Sequence, residues 1–344
     1  MGASTSLFFP RDSNSLAKTR IKTGNFRIPL YNPFLIFSLS ILACLFVLSI
    51  ERLTGIGWDF HPDANTYIVT SNGAASNFSI QDYLGNFFYV LVDLLNSEVW
   101  LLITFNIFIY SITNVALANF FKKHTGLHKK QIWILFLLVI FNPYRTHLSV
   151  HVLKDTLIIF GMVYFFTSNK IYSWIFLLFS YSVSQRAVIY LVAILNKKNL
   201  IIVMIPVVFF ILIQSEGFLS SILSAEGQVN MAFRNFDKVP NFFELGVLGA
   251  IIRAVVWPFL YLTGIFFLLS PAIMYLPIAI GSFFLQFWHF KQYGKPALYF
   301  QVYLAMSILA FMVSGFTSFI RYALPLLTIL PILIIKKNMI HYEK

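Results

Sequence analysis

The chain has 344 residues, of which 58% are hydrophobic and 11% charged, with a formal net charge of +12. A soluble domain carries about 25% charged residues, so a chain with a mean hydropathy of +0.77 lacks the polar surface to cover a water-solvated core of this size. This excludes a soluble enzyme held by one anchor, and continuous rather than alternating apolar runs exclude a transmembrane β-barrel.

At about 20 residues per span the apolar stretches fit about ten crossings. The expected fold is an all-α polytopic membrane protein that includes short and re-entrant helices. Residues 1–31 are polar and read as a tail without a cleavable signal. The first span is expected over Pro33–Ile50, leaving the membrane at Glu51-Arg52. A far-side loop follows, near 51–97, with Trp58, Asp59, His61, Pro62, Asp63 and Tyr67 in its first part and an interfacial stretch at 86–95. The second span is expected at 98–120, ending at Lys122-Lys123.

A third apolar run starts at Gln131 and reaches Asn142-Pro143 after only eleven residues, about 16 Å of helix against a hydrocarbon core of about 30 Å. The polar stretch 142–155 is therefore expected at membrane depth, where irregular backbone needs protein or a wet cavity beside it. Further runs are expected at 156–168, 171–185 and 187–196, turning at Gln185-Arg186, and at 200–214. A second far-side region, 215–270, contains an apolar segment from 247 that is interrupted by Arg253 and Trp257-Pro258 and reads as re-entrant or interfacial. Spans at 271–290, 297–314 and 322–335 complete a single membrane domain over 32–336. The last far-side turn is expected at Ser314–Tyr322, and 337–344 form a tail.

Sorting the charge by loop gives it a meaning. Seventeen of the 25 Lys and Arg lie in the N-terminal tail, at 122–130, at Lys170, Lys197-Lys198, Lys291 and Lys295, and after 335. These clusters separate alternate pairs of apolar runs, so they share one face. The positive-inside rule makes that face cytoplasmic, with both termini on it. Trp133, Trp174 and Trp288 lie beside these lysines, and Trp58, Trp100 and Trp257 lie near the opposite ends, as two aromatic belts would. The charge is thus an orientation signal and not a nucleic-acid footprint. The one cysteine, Cys44, lies in the first apolar run and offers neither a disulfide nor a metal site.

Six of the other eight basic residues are Arg. Arg145, Lys154, Asp155, Arg186, Arg253 and Arg321 fall at or near short or broken helices, where an ionisable group costs roughly 2.5–3.5 kcal/mol. Arginine suits bidentate recognition of phosphate or carboxylate, so an anionic ligand at the far face is the direct inference. Asp63, or failing it Asp59, is the candidate general base toward a hydroxyl acceptor. His147 and His151 are four apart, on one face if the segment is helical. No Glu follows His147, so this is not the zinc-protease motif. The pair reads as hydrogen-bond donors to phosphate or as structural contacts, and no metal ligands are assigned. No cofactor is expected, with a divalent metal as a minor option. The aromatic side chains of Trp58, Tyr67, Tyr144 and Trp257 are candidates for stacking on sugar rings.

The far-side acids Asp59 and Asp63, and Arg321-Tyr322-Ala-Leu-Pro325 leading into the last span, resemble multi-spanning GT-C-type glycosyltransferases. Phe141-Asn-Pro143-Tyr, then Lys154-Asp155-Thr156-Leu, then Arg186 about thirty residues on, is similar to the Wzy-like polymerases of O-antigen and exopolysaccharide synthesis. Trp257-Pro258 stands in a related but not identical order to the Pro-x-x-Trp element of that group. The resemblance is a scattered pattern over 55–330. It implies transfer of a glycan from a polyprenyl-diphosphate (undecaprenyl-diphosphate) carrier to a sugar hydroxyl on the outer face of the bacterial inner membrane. Partners would be the lipid-linked glycan, membrane lipid and a chain-length regulator. It implies that Arg145, Lys154, Arg186, Arg253 and Arg321 meet the diphosphate, with His151, Asp155 and Tyr322 beside them, and that Asp63 or Asp59 takes the proton. A flippase or exporter of lipid-linked glycan is the alternative from another class, although no internal symmetry of the transporter kind is present. A membrane acyltransferase using His151 near Asp155 is a further one.

Overall fold

A computed structural model describes residues 32–71, 80–124, 140–168, 170–195, 245–269, 276–293, 296–313 and 315–342. The expected tail 1–31, the run from Gln131 to 139, the span 200–214 and the loop 215–244 lie outside the described residues. Every regular element among the described residues is helical: α1 (Pro33–Leu53), α2 (Pro62–Thr70), α3 (Ile80–Leu94), α4 (Val99–His124), α5 (Pro143–Ser149), α6 (Asp155–Thr167), α7 (Lys170–Val183), a 3-10 helix (Gln185–Ile194), α8 (Gly246–Leu262), a short 3-10 helix (Ile265–Leu269), α9 (Leu276–Tyr293), α10 (Pro296–Met312) and α11 (Phe316–Tyr342).

Asn-Pro and His-Pro punctuate the helix starts. Asn32 and Asn142 accept hydrogen bonds from the backbone N–H groups of Phe34 and of Tyr144 and Arg145, and Pro33, Pro62 and Pro143 occupy the first helical position. Proline has no N–H to lose there, and its φ already matches the helix. Pro143 therefore opens a helix, and the stretch expected to be irregular folds as α5 and a tight connector. At its other end α1 closes with Gly55 at φ +79. Ile56 N–H reaches the Glu51 carbonyl (2.8 Å) and Gly55 N–H that of Arg52 (3.2 Å), the paired bonds of a Schellman closure. The expected loop 51–97 thus holds α2 and α3. The expected turn 314–322 is also corrected. Nothing between Phe316 and Leu324 breaks a helix, so α11 starts at Phe316 and carries Arg321 in its second turn.

Among the described residues, three helices are long and apolar enough to cross a membrane: Pro33–Leu53, Val99–Lys123 and Ser318–Lys336. They differ in burial. The α1 window is 17% buried and that of α11 is 89% buried. Phe34, Leu42, Phe46 and Leu53 of α1 are exposed, an apolar surface far too continuous for water and suited to lipid. The apolar stretches of the other described helices are shorter, such as Asp155–Thr167, Leu248–Leu262 and Tyr299–Met312. Helix α6 sits between α4, α7 and α11, and α10 packs on α8, α11 and the 3-10 helix Gln185–Ile194. Gly161 of α6 lets α7 approach closely, since a Cβ there would lie 2.1 Å from Ser180 Oγ and 3.0 Å from the Phe176 carbonyl oxygen. Small residues at such crossings are the usual device for helices without a hydrophobic drive to associate.

Chain direction separates two ends of the bundle. Glu51 ends α1, Asp155 opens α6 and Arg321 lies near the start of α11. Lys122-Lys123 end α4, Lys170 opens α7 and Lys336 lies toward the end of α11.

Candidate functional site

Two polar centres lie side by side at the end opposite the lysines. The first is built on Arg321. Its Nε and Nη2 donate to one oxygen of Asp155, Oδ2, at 3.1 and 2.8 Å. Its Nη1 lies 2.9 Å from Asp63 Oδ2. Arg321 and Asp155 are buried, whereas the Asp63 side chain is 39% exposed. The guanidinium therefore has one carboxylate at its back and one at the solvent rim. Tyr190 and Tyr261 donate to the carbonyls of Tyr322 (2.9 Å) and Ile320 (3.4 Å) and fix the start of α11 around it.

Lys154 and Arg186 complete this array. Lys154 is in the connector 150–154 between α5 and α6, with its Nζ 5.7 Å from the Tyr67 ring centroid. Arg186 lies over the Tyr322 ring at 3.4 Å, and its buried Nη1 has no hydrogen-bond partner. Burial first, then the charge of Arg186, pushes the Lys154 ammonium down to about 8, and Asp155 and Asp63 act in the opposite direction. Asn106 of α4 holds the connector by donating to the carbonyls of His151 (2.8 Å) and Leu153 (3.1 Å).

The second centre is built on Glu51. Its Oε1 lies 2.5 Å from His147 Nδ1 and its Oε2 lies 3.1 Å from His151 Nε2. His147 Nε2 faces His61 Nε2 at 2.9 Å, and His151 Nδ1 lies 3.3 Å from the Trp58 carbonyl oxygen. All four side chains are buried. Burial first, then His151, His147 and Arg321, hold His61 well below the usual imidazole value, so it stays neutral. The Phe60 ring stands 5.3, 6.4 and 6.5 Å from the imidazoles of His61, His147 and His151 and closes the cluster on one side.

Of the residues expected at the site, Asp63, Lys154, Asp155, Arg186, Arg321 and Tyr322 come together. His151 belongs to the neighbouring cluster. Arg145 faces away, over the Tyr110 ring at 4.7 Å. Arg253 is fully buried on α8, donating from Nε to the Ala310 carbonyl at 3.3 Å. Asp59 is exposed, with Oδ1 turned back toward Gly57. Sequence reasoning missed Glu51, which it took as the marker of a span's end, and gave His61 no role. The available signal was an acid in the last turn of an apolar helix, where it is costly unless partnered.

No protein-family profile matches the chain, and no curated protein or solved structure matches it.

Proposed function

We propose that this chain is a membrane glycosyltransferase of the polysaccharide-polymerase type. It would join saccharide units carried on polyprenyl diphosphate at the extracytoplasmic face of a bacterial inner membrane. The observation that carries the reading is the sharing of Arg321 between buried Asp155 and rim-exposed Asp63, with the unpartnered Arg186 Nη1 and Lys154 beside it.

In this reading Asp155 holds the guanidinium in place, and the donor diphosphate competes with Asp63 for Nη1. Binding of the diphosphate releases Asp63 from its ion pair, and only then does it become an effective base. An acceptor sugar hydroxyl attacks the anomeric carbon, and its oxygen forms the new glycosidic bond. The bond from that carbon to the diphosphate oxygen breaks, and the electron pair leaves on the diphosphate. Asp63 takes the hydroxyl proton, while Arg321, Arg186 and Lys154 stabilise the charge developing on the departing oxygen. Tyr67 and Tyr322 offer ring faces beside the cations. A membrane acyltransferase is less favoured, because His151 faces Glu51 and Trp58 while Asp155 is committed to Arg321.

The test is transfer from a polyprenyl-diphosphate oligosaccharide by the full chain in nanodiscs, read as a ladder of lengthened lipid-linked glycans. Ladder formation that stops in Arg321→Lys and Asp63→Asn supports the reading. A wild-type chain that binds the donor and yields neither ladder nor released polyprenyl diphosphate counts against it.

A further inference from the structure

The geometry points to a metal site: we propose that His61, His147 and His151 bind one divalent first-row transition ion, zinc by its coordination preference, with Glu51 as the carboxylate that orients His147. One ring nitrogen from each histidine lies within 4.8 Å of the others. Tetrahedral zinc with bonds of about 2.0–2.1 Å separates its nitrogen ligands by about 3.3 Å. The 2.9 Å between His61 and His147 Nε2 and the 4.8 Å limit bracket that value, within reach of small side-chain rotations.

Hydrogen-bond logic supports the same conclusion. A carboxylate and a backbone carbonyl only accept. His147 Nδ1 therefore donates to Glu51 Oε1, and His151 faces an acceptor at each nitrogen, the Trp58 carbonyl at Nδ1 (3.3 Å) and Glu51 Oε2 at Nε2 (3.1 Å). In its neutral form His147 then presents its Nε2 lone pair to the third imidazole, His61. A neutral His151 has one proton for its two acceptors, so a cation at Nε2, beside Glu51 Oε2, would complete its contacts. A proton on His61 Nε2 can fill the His147 lone pair, and a metal held by the three rings would take that proton's place. A histidine ligand whose second nitrogen donates to a carboxylate or carbonyl is the usual outer-shell arrangement of protein zinc sites. Three imidazoles also suit zinc, copper, iron or nickel rather than magnesium or calcium, which prefer oxygen.

The cluster is assembled from three separate pieces of chain. Glu51 ends α1, His61 precedes α2, and His147 and His151 flank the end of α5. A metal here ties these pieces together, and Asp63 lies only two residues beyond His61. Burial of all four side chains and the Phe60 cap shield the three imidazoles, and the fourth tetrahedral position would fall to Glu51 Oε2 or to water. The metal is thus assigned the task of holding α2, and with it Asp63, against Arg321.

The test is independent of any substrate. The full-length chain, purified in detergent, is loaded with Zn²⁺, passed over a desalting column and analysed for metal by mass spectrometry. A parallel sample is loaded with Co²⁺ and read by its visible ligand-field absorption. The expected result is one equivalent of metal with a tetrahedral cobalt spectrum. Both are lost in His147→Ala and His151→Ala, and affinity falls about 10–100-fold in Glu51→Gln. Asp155→Asn breaks the neighbouring array and retains the metal, so failure of the site is distinguishable from failure of the proposed transferase. A folded, monodisperse wild-type chain that retains no metal and gives no ligand-field band overturns the proposal. So does metal retained unchanged in the triple variant His61→Ala, His147→Ala, His151→Ala.

Discussion

Arg321 binds Asp155 through two donors on one oxygen, at 3.1 and 2.8 Å, and reaches Asp63 with the third nitrogen at 2.9 Å. A planar fork can do this, whereas an ammonium cannot. Arg321→Lys keeps the charge and loses the simultaneous grip. Removing one such donor from a transition state costs roughly 10²–10³ in rate. The expected outcome is a fall of that order in glycan transfer by a chain that still elutes as folded protein. Transfer near the wild-type rate would show that the fork is not used.

The two carboxylates should separate under mutation. Asp155 is buried against Arg321, and Asp155→Asn leaves that cation without a counter-charge. Breaking a buried ion pair typically costs about 3–5 kcal/mol, so a marked fall in the thermal midpoint in detergent is expected. Asp63 is at the rim, where ion pairs contribute little to stability. Asp63→Asn should leave the midpoint nearly unchanged and lower turnover, with donor binding retained. Equal loss of stability in both variants would contradict the division of roles.

Much of this array was legible in the sequence, and the reason is physical. Charged residues in a chain with so few of them stand out, and membrane depth makes each one costly. That logic led to Lys154, Asp155, Arg186 and Arg321, while Asp63 was read separately, as a far-side loop acid able to act as a base. It did not separate out Arg145 and Arg253, which the structure sets against an aromatic face and a backbone carbonyl away from Arg321, and sequence spacing carries no record of such partners. The histidine cluster was illegible for a different reason. His61 and His147 are 86 residues apart, and only the return of α5 against the end of α1 brings them together. Helix positions were read closely for α1 and α4, which Asn32-Pro33 and Lys122-Lys123 mark, but not at Asn142-Pro143, where α5 forms. They were misread over 316–322, where residues taken for a turn form the start of α11.

Lys154 gives a pH signature with two opposite trends. Its ammonium is held down to about 8 by burial and by Arg186, against about 10.4 in an unfolded chain. Below pH 8 the folded state carries the full cost of the buried charge. As pH rises from about 8 to about 10, the folded chain sheds the proton before the unfolded one, so this group's contribution to stability improves. If the ammonium meets the diphosphate, transfer falls over the same window. Lys154→Arg should carry transfer to higher pH, because guanidinium keeps its proton. An unchanged alkaline limb in that variant would remove Lys154 from the anion site.

Helix packing offers a check that involves no function. Gly161 faces α7 with no room for a side chain, since even a Cβ would meet Ser180 Oγ and the Phe176 carbonyl. Ser180 Oγ is itself held by that carbonyl at 3.0 Å and cannot swing away freely. Gly161→Val should destabilise the chain by about 1–3 kcal/mol, the usual range for overpacking, read as a lower midpoint in a thermal aggregation assay. A neutral result would mean that α6 and α7 do not cross at this residue.

Orientation in the membrane can be tested with the chain's own chemistry. Cys44 is the one cysteine and is buried, with Sγ 3.2 Å from Ser149 Oγ, so Cys44→Ser gives a background with little disturbance. Asp59 is exposed at the end that holds both polar centres, and Lys123 is exposed at the lysine end of α4. By the positive-inside rule the lysine end is expected to face the cytoplasm. A membrane-impermeant maleimide added to intact spheroplasts should therefore label Asp59→Cys and leave Lys123→Cys unlabelled until the membrane is opened. The reverse pattern would put both centres on the cytoplasmic side. A reaction with a lipid-linked donor on the outer face would then have no site to use.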